Sequence, residues 1–197
     1  MNKEYWEKFY AQNSEPFEPS SFANFCLKYI PHESTILDVA CGNGRDSVFF
    51  AEQGFKVLAC DQSNVAINFL RTKYPENPSF FTADISNLKK FEGKTNVAYA
   101  RFLLHAISEA ELLVLIKNIY AILPEGGFFM SESRSDKTDI GEVGKHFEPH
   151  FRRLVNSKEL VKALSNEKFH IDYFKEDNGL AIYKEEDPII IRLVVRK

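Results

Sequence analysis

Cysteine, glycine and long apolar runs are all in short supply in this 197-residue chain. Its cysteines, Cys26, Cys41 and Cys60, are odd in number, widely spaced and without a CxxC pair. That excludes a disulfide framework and a cysteine-based zinc site, so they read as reduced thiols, with Cys60 ending an apolar run. No apolar stretch approaches the ~20 residues of a membrane-spanning helix, so no membrane partner is expected. Nor is there an excess of positive charge: 25 Lys and Arg stand against 28 Asp and Glu, a formal net charge of -3. A global attraction to nucleic acid is thereby excluded, although a local basic patch is not. The opening "MNKEYWEKFY" is charged throughout and lacks the apolar centre of a secretory leader, which predicts a cytoplasmic protein. The length fits a single domain over 1–197, with no internal repeat and no low-complexity segment.

What is present is strand-length apolar runs alternating with helical patterns. "STILDVA", "FKVLACD", "SFFTAD", "TNVAYARF" and "FFMSES" read as strands. Between them, Arg45 to Gln53 is helical up to Gly54, and Ser63 caps a helix running to about Tyr74, where "YPENP" breaks it. A long amphipathic helix spans about Ser108 to Leu123, with Glu111 placed to complete a capping box. Strands joined by helical crossovers imply an α/β fold with a parallel, doubly wound sheet. Further on, a short helix near Ser157 to Leu164 precedes "FHIDYFKE" and "IIIRLVVR", which have no crossover helix between them and read as an antiparallel pair. The segment 1–30 is a helical lead-in carrying Trp6, Phe9 and Tyr10.

The stretch "LDVACGNGRDS" closes the first strand and opens the first helix, the position where such folds bind ligands. Gly42 and Gly44 permit a tight turn and let a ligand approach the main chain, while the helix amino terminus offers free N–H donors. Asp61 ends the second strand about twenty residues on, where a carboxylate typically accepts ribose hydroxyls. Asp84 ends the third, near enough to meet the base of the same nucleoside. A nicotinamide or flavin enzyme is the competing reading, but its fingerprint is G-x-G-x-x-G. This chain reads G-N-G-R-D-S and places Arg45 and Asp46 in the stretch where the third glycine would allow close packing.

From "LDVACGNGRDS" through "LACDQS" and "FTADISNL" to "LPEGGFFMSES" and the terminal antiparallel strand, the chain resembles the class I S-adenosylmethionine-dependent methyltransferases. The resemblance implies a Rossmann-like seven-stranded sheet of order 3-2-1-4-5-7-6, with strand 7 antiparallel, and S-adenosylmethionine as cofactor. It implies that Asp38 and the loop of Ala40, Cys41, Gly42 and Gly44, with Asp46, face the methionine part. It further implies that Asp61 holds the ribose, that Gln62 flanks the adenine, and that Asp84 and Ile85 hold the adenine edge. One departure stands out, since the family's first loop glycine is Ala40 here.

The acceptor is harder to read. Methyl transfer from a sulfonium is an in-line displacement that needs alignment more than covalent machinery. Many methyltransferases of nucleic-acid amino groups carry Asn or Asp, two prolines and an aromatic after the fourth strand; this chain has "ARFLLHA" there, which argues against DNA methylation. In that segment His105 is a base for a hydroxyl, an anchor for an anion, or a packed helix-start residue. Arg101, beside the expected methyl group, clamps an anion or pairs with an acid at the edge of the core. The segment 134–156 gathers Arg134, Lys145, His146, His150, Arg152 and Arg153, either an anion-holding acceptor loop or a solvated face. His146 and His150 lack a companion carboxylate pattern, so no metal is expected.

The aromatic lead-in reads as a lid over the site and equally as a helix docked on the body, with Tyr5 and Tyr10 as candidate acceptor contacts. At finer grain the chain is similar to small bacterial methyltransferases of the tellurite-resistance and thiopurine type. "ARFLLHAIS" and "EDPIIIRLVVRK" suggest those accompanying capsular polysaccharide modification. That likeness implies a small-molecule acceptor, methylated on a phosphoryl, phosphoramidate, carboxylate or sugar oxygen. The alternative is a cofactor-binding accessory subunit that keeps the fold and assists a catalytic partner.

Overall fold

The computed structural model describes residues 3–138 and 153–197. Its centre is one seven-stranded sheet of order β3-β2-β1-β4-β5-β7-β6. The strands are β1 (Thr35–Val39), β2 (Lys56–Asp61), β3 (Ser79–Thr82), β4 (Val97–Arg101), β5 (Phe128–Arg134), β6 (His170–Asp177) and β7 (Ile190–Arg196). The first five run parallel, and β7 lies antiparallel between β5 and β6. The antiparallel pair lies at one edge, as expected, with β6 outermost there and β3 at the opposite edge. Helices α1 (Lys3–Gln12) and α2 (Ser21–Cys26) precede the sheet, α3 (Arg45–Glu52), α4 (Asn64–Lys73) and α5 (Glu109–Ile122) cross over it, and α6 (Ser157–Asn166) leads into β6.

Strand alternation sends neighbouring side chains to opposite faces, and both faces are covered, which is why β1 and β2 are almost wholly apolar. On one face Leu37, Val39, Leu58, Cys60 and Phe129 pack under Leu112, Ile116 and Ile119 of α5 and Leu160 of α6. On the other, Ile36, Val57, Ala59, Tyr99 and Met130 pack under Phe22 of α2, Phe49 and Phe50 of α3, and Ile67 and Leu70 of α4. Local capping sets the starts of the crossovers. The Ser63 hydroxyl accepts from Ala66 N, and Ser108 with Glu111 completes the capping box on α5.

The consequence for the site lies in the register. Thr35 to Val39 lie beside Lys56 to Cys60, and Asp61 beside Thr82, so the carboxyl ends of β1, β2 and β3 share one rim. Further along it, Arg101, Glu132 and Arg192 are direct cross-strand neighbours on β4, β5 and β7. The third strand stops at Thr82, so Asp84 lies on the turn beyond it rather than on the strand.

Candidate functional site

Above the carboxyl ends of β1, β2 and β4 is a cavity of about 780 Å³, within the ~300–1,000 Å³ of small-molecule sites. Its floor is the loop after β1. Ala40 (φ 61°), Gly42 (φ 58°) and Gly44 (φ 77°) all adopt left-handed backbone. At Ala40 this explains the family's glycine, because a Cβ there costs about 1–2 kcal/mol. The two glycines are bare for different reasons. A Cβ on Gly44 would lie 2.9 Å from Leu70 Cδ2, so that glycine serves packing; one on Gly42 would lie 2.4 Å from the Tyr10 hydroxyl, so that one faces the cavity and the helix α1 above it.

Two acids on this floor keep capacity for a ligand. Asp61 is buried and takes one backbone N–H on each oxygen, Gly42 N at 3.0 Å and Ser63 N at 2.8 Å. Each oxygen keeps a lone pair for a donor such as a ribose hydroxyl. Burial pushes its carboxyl above the ordinary range, opposed by those same N–H bonds. Asp38 accepts the Ser47 hydroxyl at 2.6 Å. Among the described residues it has no cation within ion-pair distance, and burial, with Asp46 and Asp61 nearby, raises its carboxyl to about 8. A buried acid held mostly protonated in this way takes up its charge when a cationic ligand group approaches and not when a pyrophosphate does, which weighs against the dinucleotide reading.

Asp46, expected at the cofactor, lines the cavity but spends its oxygens internally. It accepts Ser20 N at 2.8 Å, Ser20 Oγ at 2.8 Å and Tyr99 Oη at 2.7 Å, anchoring the lead-in to β4. Ala40, Cys41 and Gln62 also line the cavity, and Gln62 Nε2 is buried without a partner. Burial pushes the Cys41 thiol well up, so it is an inert wall rather than a nucleophile. Asp84 and Ile85 do not line the cavity. Asp84 is exposed and accepts Ser86 N at 2.8 Å, while Ile85 O accepts from Asn118 Nδ2 at 3.1 Å.

At the other end the sequence-predicted cations prove to be partnered. Arg101 lines the cavity, but its Nε donates to Glu132 Oε1 at 2.9 Å. Arg192 Nε reaches the other oxygen at 2.6 Å, and Glu132 is fully buried between them. Of the readings open for Arg101, pairing with an acid is the one observed. Arg134 is buried and bonds Glu186 through Nη2 at 3.0 Å, leaving Nη1 buried and without a partner. Phe102, whose φ of 56° is strained for a bulky residue, lies among these groups. Its ring centre is 4.1 Å from the Arg101 guanidinium carbon, and 5.2 Å from the His105 ring centre.

His105 lines the cavity, and its Nδ1 accepts Arg134 N at 3.1 Å. Accepting there assigns the proton of the neutral ring to Nε2, so Nε2 is a donor and has no lone pair with which to act as a base. Tyr5 and Tyr10 line the cavity from α1. Arg153 does not line it, although its N–H donates to His105 O at 2.8 Å. His146, His150 and Arg152 lie outside the described residues. Among the described residues no cluster of His, Cys, Asp or Glu is arranged to hold a metal, and no helix is long and apolar enough to cross a membrane.

Residues 36–127 match the family model described as "Methyltransferase domain". Over this segment the chain is similar to that family. The chain is 27% identical over 94 residues to an uncharacterized methyltransferase of Synechocystis sp., covering 48% of the chain and 44% of that protein. It is 24% identical over 148 residues to a thiopurine S-methyltransferase of Shewanella sp., covering 64% and 68%. Among solved structures it is similar to a TehB-like S-adenosylmethionine-dependent methyltransferase from Corynebacterium glutamicum, with a TM-score of 0.74, 17% identity and 97% of each chain covered. The chain spans less than half the length of the first curated relatives it matches. The fold is the class I methyltransferase fold, with the strand order that the resemblance implied.

Sequence reasoning missed one wall of the cavity and one contact that holds another wall in place. Ala181, Ile182 and Tyr183 line it from the β6–β7 connection, and Glu186 of the same connection holds Arg134. The signal was the apolar "LAIY" inside an otherwise charged connection. Glu7 of α1 bonds the start of α4 across 56 to 58 positions of sequence, a contact with no local signature.

Proposed function

We propose that this chain is an S-adenosylmethionine-dependent methyltransferase acting on an oxygen of a small, anionic acceptor. The cofactor assignment rests on Asp61 and Asp38, which together offer acceptors for a ribose and a counter-charge for a cationic methionine end. When bound, S-adenosylmethionine supplies an electrophilic methyl group on a sulfonium. The chain's own residues hold the nucleoside, align the acceptor and exclude water. Chemistry of this kind depends on position rather than on covalent help.

The single observation that carries the acceptor reading is the state of His105. With Nδ1 held by Arg134 N, the neutral ring carries its proton on Nε2 and has no lone pair left to deprotonate a hydroxyl. An acceptor already ionised, such as a phosphoryl, phosphoramidate or carboxylate oxygen, needs no base. Arg134 adds support, because it lines the cavity with unused hydrogen-bonding capacity at Nη1. The walls of Phe17, Phe102, Ile182 and Tyr183 suit an acceptor with an apolar body. An anionic precursor of a surface polysaccharide belongs to the phosphoryl members of this class.

The test is a metabolite screen for methyl transfer, followed by pH–rate profiles of the parent and His105→Asn with the acceptor found. The expected result is an anionic acceptor, a kcat changed by less than about tenfold and no lost limb in the profile. A loss of ~100- to 10,000-fold with a vanished limb would identify a general base and a hydroxyl acceptor instead.

A further inference from the structure

Helix α1 is the least embedded helix of the fold, with no buried residue, yet Tyr5, Trp6, Phe9 and Tyr10 all line the cavity. Two contacts three residues apart, on one face of the helix, hold it down. The Glu7 carboxylate accepts Ser63 Oγ at 2.8 Å, Asn64 N at 2.9 Å and Val65 N at 3.0 Å, filling the open donors at the start of α4. The Tyr10 hydroxyl lies directly over Gly42. Both contacts end on partners of one residue, because Asp61 accepts the N–H groups of Ser63 and Gly42. The helix that walls the cavity is thus fastened beside Ser63 and Gly42, the two residues whose N–H groups orient the nucleoside acid.

We propose that Glu7 is a positioning residue for the cofactor: acting through Ser63 and Asp61, it holds α1 as a detachable wall whose release sets the rate at which the nucleoside leaves. A helix with no buried side chain opens locally at low cost, so its attachment depends on such polar contacts. Hydrogen bonds to a carboxylate are the strong kind, and Glu7 concentrates three on one side chain. The proposal concerns the cofactor end and is independent of the acceptor's chemistry.

The chain's one tryptophan, Trp6, sits on α1 and lines the cavity, so its fluorescence follows the wall directly. The experiment is stopped-flow dissociation of S-adenosylhomocysteine, read by Trp6 emission, in the parent, Glu7→Gln and Glu7→Asp. The expected result is dissociation about tenfold faster in Glu7→Gln, the scale of losing charge-assisted hydrogen bonds, with partial recovery in Glu7→Asp. Hydrogen exchange at the Asn64 and Val65 amides of the parent should slow when S-adenosylhomocysteine is bound. Parent-like dissociation from Glu7→Gln would overturn the proposal, as would amide exchange at these positions that ignores the nucleoside.

Discussion

The two ends of the cavity use charge in opposite ways. At the β1–β2 end, Asp38 and Asp61 are fixed by hydroxyl and backbone donors and keep lone pairs, with no cation among the described residues at ion-pair distance from them. At the β4–β5 end, the charged groups pair with one another and leave an excess of positive charge: Glu132 alone serves both Arg101 and Arg192, and Arg134 bonds Glu186. A count of cations in the sequence therefore overstates what is free to hold an acceptor. What the acceptor end keeps is shape, an aromatic wall, the Nη1 of Arg134 and a histidine locked in one tautomer. One end is unfinished without a cationic ligand, whereas the other is largely complete before anything binds.

The largest effect should come from breaking that internal pairing. Glu132→Ala leaves two guanidinium groups without their shared carboxylate and should cost about 3–5 kcal/mol, measured by urea unfolding. A cost below about 1 kcal/mol would mean that Arg101 and Arg192 are free cations after all. At the other end, Asp61→Ala removes the acceptor for two backbone N–H groups and for the ribose. Calorimetric titration with S-adenosylhomocysteine should show a loss of roughly 1–3 kcal/mol. Unchanged affinity would remove the ribose assignment.

The third prediction concerns pH. The Asp38 carboxyl is raised to about 8, so the folded state binds its proton more tightly than the unfolded state. Its contribution to stability is full below the unfolded carboxylate pKa of ~3.9 and is lost as pH rises toward the folded value. Asp38→Asn, which cannot ionise, should therefore unfold with a flatter pH dependence between about pH 4 and pH 8 in the absence of ligand. A slope equal to the parent's would show that Asp38 is ionised in the free protein. The smallest effect is expected at the loop, where Ala40→Gly should relieve left-handed strain and stabilise by roughly 0.5–1 kcal/mol, net of glycine's greater chain entropy.

Sequence spacing placed the sheet, the glycine loop and the carboxylates at β1 and β2 because these depend on local periodicity and on one short motif. Leu37 and Ile36 face opposite layers through alternation alone, and Ser108 with Glu111 signals a helix start within four residues. The partners of Arg101 and Arg134 were not legible. Glu132 meets Arg101 through cross-strand register, and Glu186 meets Arg134 through a connection that reads as ordinary charged loop. The internal partners of Asp46 were not legible for a related reason. Its position beside the loop suggested a ligand contact, but its partners, Ser20 and Tyr99, come from 26 and 53 residues away.

The account's central claim is that the β1–β2 end is built for a nucleoside bearing a cation rather than a pyrophosphate. Parallel calorimetric titrations of the parent protein with S-adenosylmethionine and with NAD test it most directly. The account predicts saturable one-to-one binding of S-adenosylmethionine, abolished or strongly weakened in Asp61→Ala, and no measurable heat from NAD. Binding of NAD with no response to S-adenosylmethionine would contradict it.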